Sequence, residues 1–132
     1  MAGKTNNGEL IKIFYEETQK LIDEMRGNLS ILSQRQETSE GQSAVLRRLF
    51  RCAHIIKTSS ASVGMGDLEK VTEALEKIFK KAGDEEFVMT DDIISLLSES
   101  VDACQKLLNG AEIVGHKELL DRLNSILQTC RG

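Results

Sequence analysis

The sequence predicts an all-α protein, an antiparallel up-and-down four-helix bundle with an additional fifth helix at its C-terminal end. Three observations lead there. The 132 residues include no proline and only 10 glycines, so little interrupts long helices. Apolar residues recur at three- and four-residue steps through most of the chain, the period of an amphipathic helix. The connections between these stretches are short, and helices joined that way pack as antiparallel neighbours. A chain of this length has room for one core rather than two.

Residues 1–8 are polar and are expected to form a flexible N-terminus, with one domain over 9–132. A first helix is expected over 9–33, its apolar face carrying Leu10, Ile13, Phe14, Leu21, Met25, Leu29 and Leu32. Residues 34–42 are rich in Gln, Ser, Thr and Glu, show no periodicity, and are expected to connect it to the next helix. That second helix spans 43–60 with Val45, Leu46, Leu49, Phe50, Ala53 and Ile56 inward, and Gly64 and Gly66 mark the turn after it. Leu68, Val71, Leu75, Ile78 and Phe79 define a third helix over 67–82. Thr90 has the chemistry of an N-cap, followed by Asp91 and Asp92 in the positive first turn and preceded by Met89, placed to pack on Ile94. This opens a fourth helix ending near Asn109 and Gly110. Leu119, Leu120, Leu123, Ile126 and Leu127 mark a fifth over 115–130.

Composition removes several classes of function. A net charge of −4 offers no basic excess for nucleic acid or an anionic membrane surface. No apolar run is long enough to cross a bilayer and the N-terminus lacks a secretory signal, so a cytoplasmic location is expected. Cys52, Cys104 and Cys130 are odd in number and far apart, which suits buried reduced thiols better than disulfides or zinc ligands. His54 and His116 have no partner at metal-ligand spacing, so no metal is expected, and with no stretch like a glycine-rich nucleotide loop no cofactor is expected either. One bundle accounts for the apolar residues, and a monomer follows as the default.

His54 carries the remaining chemistry. On a helical projection the second helix centres its apolar arc near Leu49, Ala53 and Ile56, and His54 falls well off it beside Arg47, Arg51 and Thr58. Lys57 and Thr58 lie one turn further on, bringing a cation and a hydroxyl next to the imidazole. A neutral imidazole nitrogen is a good nucleophile near pH 7, and an ammonium beside it balances the charge of an incoming phosphoryl group. From spacing alone, a solvated histidine on an ordinary helix face is the favoured reading, since surface histidines near lysines are common. His116 reads as a surface residue, and Ile55, opposite the core arc, as a singly exposed apolar residue or part of a docking patch.

The stretch Leu49-Phe50-Arg51-Cys52-Ala53-His54-Ile55-Ile56-Lys57-Thr58-Ser59-Ser60-Ala61-Ser62-Val63-Gly64 closely resembles the phosphorylated-histidine helix of histidine phosphotransfer domains. It is most similar to the N-terminal domain of chemotaxis histidine kinases of the CheA type. The family's histidine, lysine, small residues and helix-closing glycine fall on His54, Lys57, Ser59 to Ser62 and Gly64, and the helix order agrees over nearly the whole chain. The resemblance implies that Glu76, on the next helix, bonds the histidine ring. A carboxylate there would fix the tautomer and leave Nε2 to attack. Without the resemblance, Glu76 reads as an exposed partner of Lys80. Two positions depart from the pattern. Glu73 stands where chemotaxis kinases often have a second histidine, and Thr58 stands where the family has glycine. Thr58 adds bulk where a partner approaches, or lends its hydroxyl to a phosphoryl oxygen.

By this resemblance the chain is a phosphocarrier: a kinase ATP-binding domain phosphorylates His54, and an aspartate of a response-regulator receiver domain takes the group. The nucleotide site would belong to the kinase, and whether the chain counts as an enzyme is left open. The alternative is a non-catalytic interaction module that keeps the fold but has lost phosphotransfer, which Thr58 makes conceivable. An unrelated bundle would show His54 buried, or remote from Glu76. The chemotaxis-type likeness and the ending Thr129-Cys130-Arg131-Gly132 lean towards an N-terminal piece of a larger kinase over a free-standing carrier.

Overall fold

The structure, a computed structural model, describes residues 7–34, 38–110 and 116–129. Five helices make up its regular structure: α1 (Asn7–Gln34), α2 (Ser39–Val63), α3 (Gly66–Gly83), α4 (Asp91–Leu108) and α5 (His116–Thr129). The first four close a ring in which α1 packs on α2, α2 on α3, α3 on α4 and α4 back on α1. This is the expected four-helix bundle, and α5 lies outside it against α3 and, more lightly, α4. Its anchors are Leu119 and Leu123, both buried.

Leu49, Ala53 and Ile56 of α2 meet Leu68, Val71, Leu75 and Ile78 of α3 in the core, joined by Ile22 and Met25 of α1 and Leu97 and Val101 of α4. Each fully buried aliphatic side chain contributes about 1.5–3 kcal/mol, and the α2–α3 pairing is the most extensive helix contact among the described residues. Thr72 and Ser100, buried between helices, satisfy their hydroxyls by donating to the carbonyls of Leu68 (2.8 Å) and Leu96 (2.7 Å) one turn back. A polar seam joins α1 to α4: the amides of Gln19 and Gln105 exchange two hydrogen bonds of 2.7 Å, and Arg26 donates to Asp102 at 3.2 Å. Cys52 and Cys104 are free and buried, and burial pushes both thiols up to about 12. Cys130 lies outside the described residues. No helix among those described is long and apolar enough to cross a membrane.

The largest departures from the expected boundaries are at the start of α1 and at both ends of α2. Helix α1 starts at Asn7, so the last two positions of the expected flexible segment are helical, and the rest of that segment lies outside the described residues. Helix α2 starts at Ser39 rather than 43, because the Thr38 hydroxyl accepts the Gly41 N–H (3.0 Å) and the Thr38 carbonyl accepts the Gln42 N–H (2.8 Å). This opening turn has no apolar residue for a periodicity to register. At its other end α2 runs on to Val63 and stops at Gly64, whose φ of 79° only glycine adopts without cost. There the Met65 N–H donates to the Ser60 carbonyl (2.9 Å), closing a Schellman motif. On α1, Leu10 and Ile13 are 46% and 53% exposed instead of buried, and Ile22 is the fully buried residue beside the half-buried Leu21. The 28 residues of α1 span about 42 Å against about 27 Å for the 18 of its neighbour α4, so its first turns run past the cover α4 provides.

Candidate functional site

His54 sits on α2 where the helical projection places it, outside the core arc, with its side chain 50% exposed. Glu76 is 8% exposed and is held by α3, whose buried face brings its carboxylate to the edge of the α2–α3 contact. The two meet there. His54 Nδ1 lies 2.5 Å from Glu76 Oε2, and Lys57 Nζ lies 2.6 Å from Glu76 Oε1. One carboxylate therefore ties together two residues of α2 that are a single helical turn apart.

The chemistry of the groups fixes the proton positions. An ionised carboxylate only accepts hydrogen bonds, so the ring nitrogen facing Glu76 carries the hydrogen. In a neutral ring Nε2 then holds the free lone pair, on the side of the imidazole away from Glu76. Burial pushes the Glu76 carboxyl up, but the hydrogen bonds and charges of Lys57 and His54 outweigh it and hold the group below its ordinary value. The bond to Glu76 in turn raises the Lys57 ammonium above its ordinary value, with Glu73 and Glu69 adding to the effect.

Three arrangements were not evident in the sequence. Phe50, expected in the core, is only half-buried, and its ring lies nearly parallel to the imidazole, 12° between planes with centroids 6.1 Å apart. Its spacing of four residues from His54 was the available signal. Lys57 is not a free cation waiting for a phosphoryl group but is bonded to Glu76. The Lys80 pairing considered for Glu76 does not form, since Lys80 reaches Asp84 at 3.4 Å.

Thr58 is exposed and donates its hydroxyl to the Ile55 carbonyl at 3.0 Å, so that hydroxyl is already engaged within the helix. Glu73 is exposed on α3. Ile55 is half-buried, one wall of a groove of about 250 Å³ between α1 and α2 that Leu10, Ile13, Phe14 and Val63 also line. The side chain of His116 lies outside the described residues. Among those described, no group of three or more His, Cys, Asp or Glu side chains is arranged to hold a metal ion.

Known proteins share this arrangement of helices. The sequence model of the Hpt domain matches residues 9–129. The chemotaxis protein CheA of Borreliella burgdorferi is 33% identical over 102 residues, covering 77% of this chain and 11% of that protein. Its counterpart in Treponema pallidum is 25% identical over 126 residues, 92% of this chain and 15% of that protein. The chain thus spans a small fraction of the length of these relatives. In fold it is similar to the phosphorylated P1 domain of CheA3 from R. sphaeroides, solved in complex with CheY6, with a TM-score of 0.77 and 20% identity over 93% of this chain and 98% of that one.

Proposed function

The chain belongs to the Hpt domain family, and from that membership and the geometry at His54 we propose that it is a phosphocarrier of two-component signalling. His54 accepts a phosphoryl group on Nε2 from the ATP-binding domain of a histidine kinase and passes it to an aspartate of a response-regulator receiver domain. The observation that carries this reading is the 2.5 Å contact between Nδ1 and Glu76, which leaves Nε2 as the outward nucleophile.

Each neighbour has a defined part in the transfer. Glu76 holds the ring in the reactive tautomer and stabilises the positive charge it gains when Nε2 bonds to phosphorus. Lys57 neutralises Glu76 in the resting state and lies within one turn of His54, where its ammonium can turn to the phosphoryl oxygens. The relatives named CheA fit a chemotaxis-type kinase as donor. The apolar groove between α1 and α2, which Ile55 beside His54 helps to line, is the surface we assign to the receiver, because Leu10 and Ile13 there stay 46% and 53% exposed. A relay fed by ATP operates in the cytoplasm. The intact His54–Glu76–Lys57 arrangement favours transfer over an inactive interaction module.

Incubation with radiolabelled ATP and a chemotaxis-type kinase domain tests the proposal. Acid-labile, alkali-stable label that is absent from the His54→Gln variant and moves to a receiver domain is the expected result. Label retained by the folded variant would refute the assignment of the site.

A further inference from the structure

We infer that Arg51 is a catalytic residue for the phosphorylation of His54 and not for the onward transfer, acting on the phosphates of the nucleoside triphosphate that the kinase domain presents. The inference rests on the phosphocarrier reading above and adds a residue to it.

The charge distribution around the imidazole raises the need. Transfer from a nucleoside triphosphate brings several negative charges to Nε2. Lys57, three residues on from His54, is bonded in the resting state to Glu76 at 2.6 Å on the Nδ1 side of the ring. At 100° per residue, Lys57 and Phe50 fall about 60° and 40° from His54 towards α3, the side on which Glu76 stands. Arg51 and Thr58 fall about 60° and 40° to the opposite side. Since Nδ1 faces α3, Nε2 faces the shoulder that Arg51 and Thr58 form. Thr58 has its hydroxyl engaged with Ile55. Arg51 is exposed and makes no hydrogen bond or ion pair among the described residues. It lies about 4.5 Å along the helix axis from His54, within reach of a guanidinium on its long side chain. Among the described residues it is the unpaired cation on the reactive side of the ring.

The bond changes show what it does. The Nε2 lone pair attacks the γ-phosphorus, the N–P bond forms, and the bond from phosphorus to the bridging oxygen breaks with its electron pair passing to the β-phosphate. Nucleoside diphosphate leaves, and the ring keeps its Nδ1 hydrogen on Glu76. Negative charge therefore grows on the β-phosphate, where planar guanidinium donors form paired hydrogen bonds to phosphate oxygens. Transfer to a receiver aspartate has no such leaving group on the acceptor. Arg51 is then needed on the donor side alone.

The test compares Arg51→Ala with Arg47→Ala, which removes another exposed charge that is unpaired among the described residues, two turns from His54 and about 10 Å along the axis. With a chemotaxis-type kinase domain and ATP, Arg51→Ala should lower the phosphorylation kcat at least about tenfold, as loss of a donor to transition-state charge does. The reverse reaction, in which phosphorylated protein and ADP yield ATP, should fall by the same factor. Transfer to a receiver should stay within about twofold of the unaltered protein, and Arg51→Lys should restore part of the rate. Arg47→Ala should leave all three reactions in place. Equal losses in Arg51→Ala and Arg47→Ala would replace this role with general electrostatic attraction, and unchanged or jointly reduced donor and receiver rates in Arg51→Ala would also overturn it. Absence of label on the unaltered protein would instead remove the phosphocarrier reading, and the inference with it.

Discussion

Replacing Glu76 by glutamine keeps the shape of the side chain and removes its charge, and its consequences follow from two distances. The carboxylate receives Nδ1 of His54 at 2.5 Å on one oxygen and Nζ of Lys57 at 2.6 Å on the other. An amide presents one acceptor and one donor group to the same two partners. The ammonium has only hydrogens to offer, whereas the imidazole accepts or donates according to its tautomer. The amide oxygen should therefore turn to Lys57 and its NH2 to His54, driving the ring hydrogen to Nε2 and removing the nucleophilic lone pair. A hydrogen bond to a charged group is worth about 1.5–3 kcal/mol net. Since His54 is half exposed, water offsets part of this, and we take the lower half of that range. At 1.36 kcal/mol for each factor of ten, phosphorylation should slow by about 10- to 50-fold. The stability change should be smaller, about 1 kcal/mol or a melting temperature lower by about 3–5 °C, because the amide still bonds both partners and both also reach solvent. Nitrogen-15 NMR of His54 reads the tautomer, and initial labelling rates read the reactivity. A ring that keeps its hydrogen on Nδ1 while phosphorylation proceeds at the original rate would refute the role given to Glu76.

Two further outcomes are expected. The contribution of the His54–Glu76–Lys57 cluster to stability should be fully present above about pH 4.5 and decline as pH falls through the lowered value of Glu76, because the carboxyl titrates lower folded than unfolded. It should also hold below about 10.5 and decline as pH rises through the raised value of Lys57. The difference between the unaltered protein and Glu76→Gln in urea titrations should shrink beyond both limits, and a difference that persists undiminished at pH 3 would contradict the ion pairing. Thr58→Gly should speed transfer to a receiver by a few fold at a cost of about 0.5 kcal/mol in helix stability, because the Thr58 hydroxyl bonds within α2 and its remaining contribution at the docking shoulder is bulk. Slower transfer in Thr58→Gly with full activity in Thr58→Ser would show instead that the hydroxyl serves the reaction.

The parts of the fold that were legible in sequence are those where burial and periodicity coincide. Leu68, Val71, Leu75 and Ile78 mark α3 because every third or fourth residue faces the same core, and Thr90 marks the start of α4 because its hydroxyl accepts the Ile93 N–H at 3.2 Å. The opening turn of α2 was hidden, since a cap rather than a buried side chain holds it. Leu10 and Ile13 continue the apolar stripe of α1, but nothing in a periodic pattern says how far neighbouring helices extend to cover it. At the site, His54 was placed outward by its position on the wheel, and Glu76 came from the family resemblance. The shared use of Glu76 by His54 and Lys57 depends on the rotation of α3 against α2, and neither helix encodes that rotation on its own. An aromatic residue at the edge of an apolar arc reads first as core, so the four-residue spacing from His54 does not by itself announce the stacking of Phe50 on the imidazole.

Which ring nitrogen carries the phosphoryl group bears most directly on how this site works. Protein labelled with nitrogen-15 in its histidines, phosphorylated by a kinase domain and examined by proton–nitrogen and phosphorus NMR, reports that atom. Bonding of phosphorus to Nε2 of His54, with the Nδ1 hydrogen retained against Glu76, is the result the geometry predicts. Phosphorus on Nδ1, or on any residue other than His54, would contradict it.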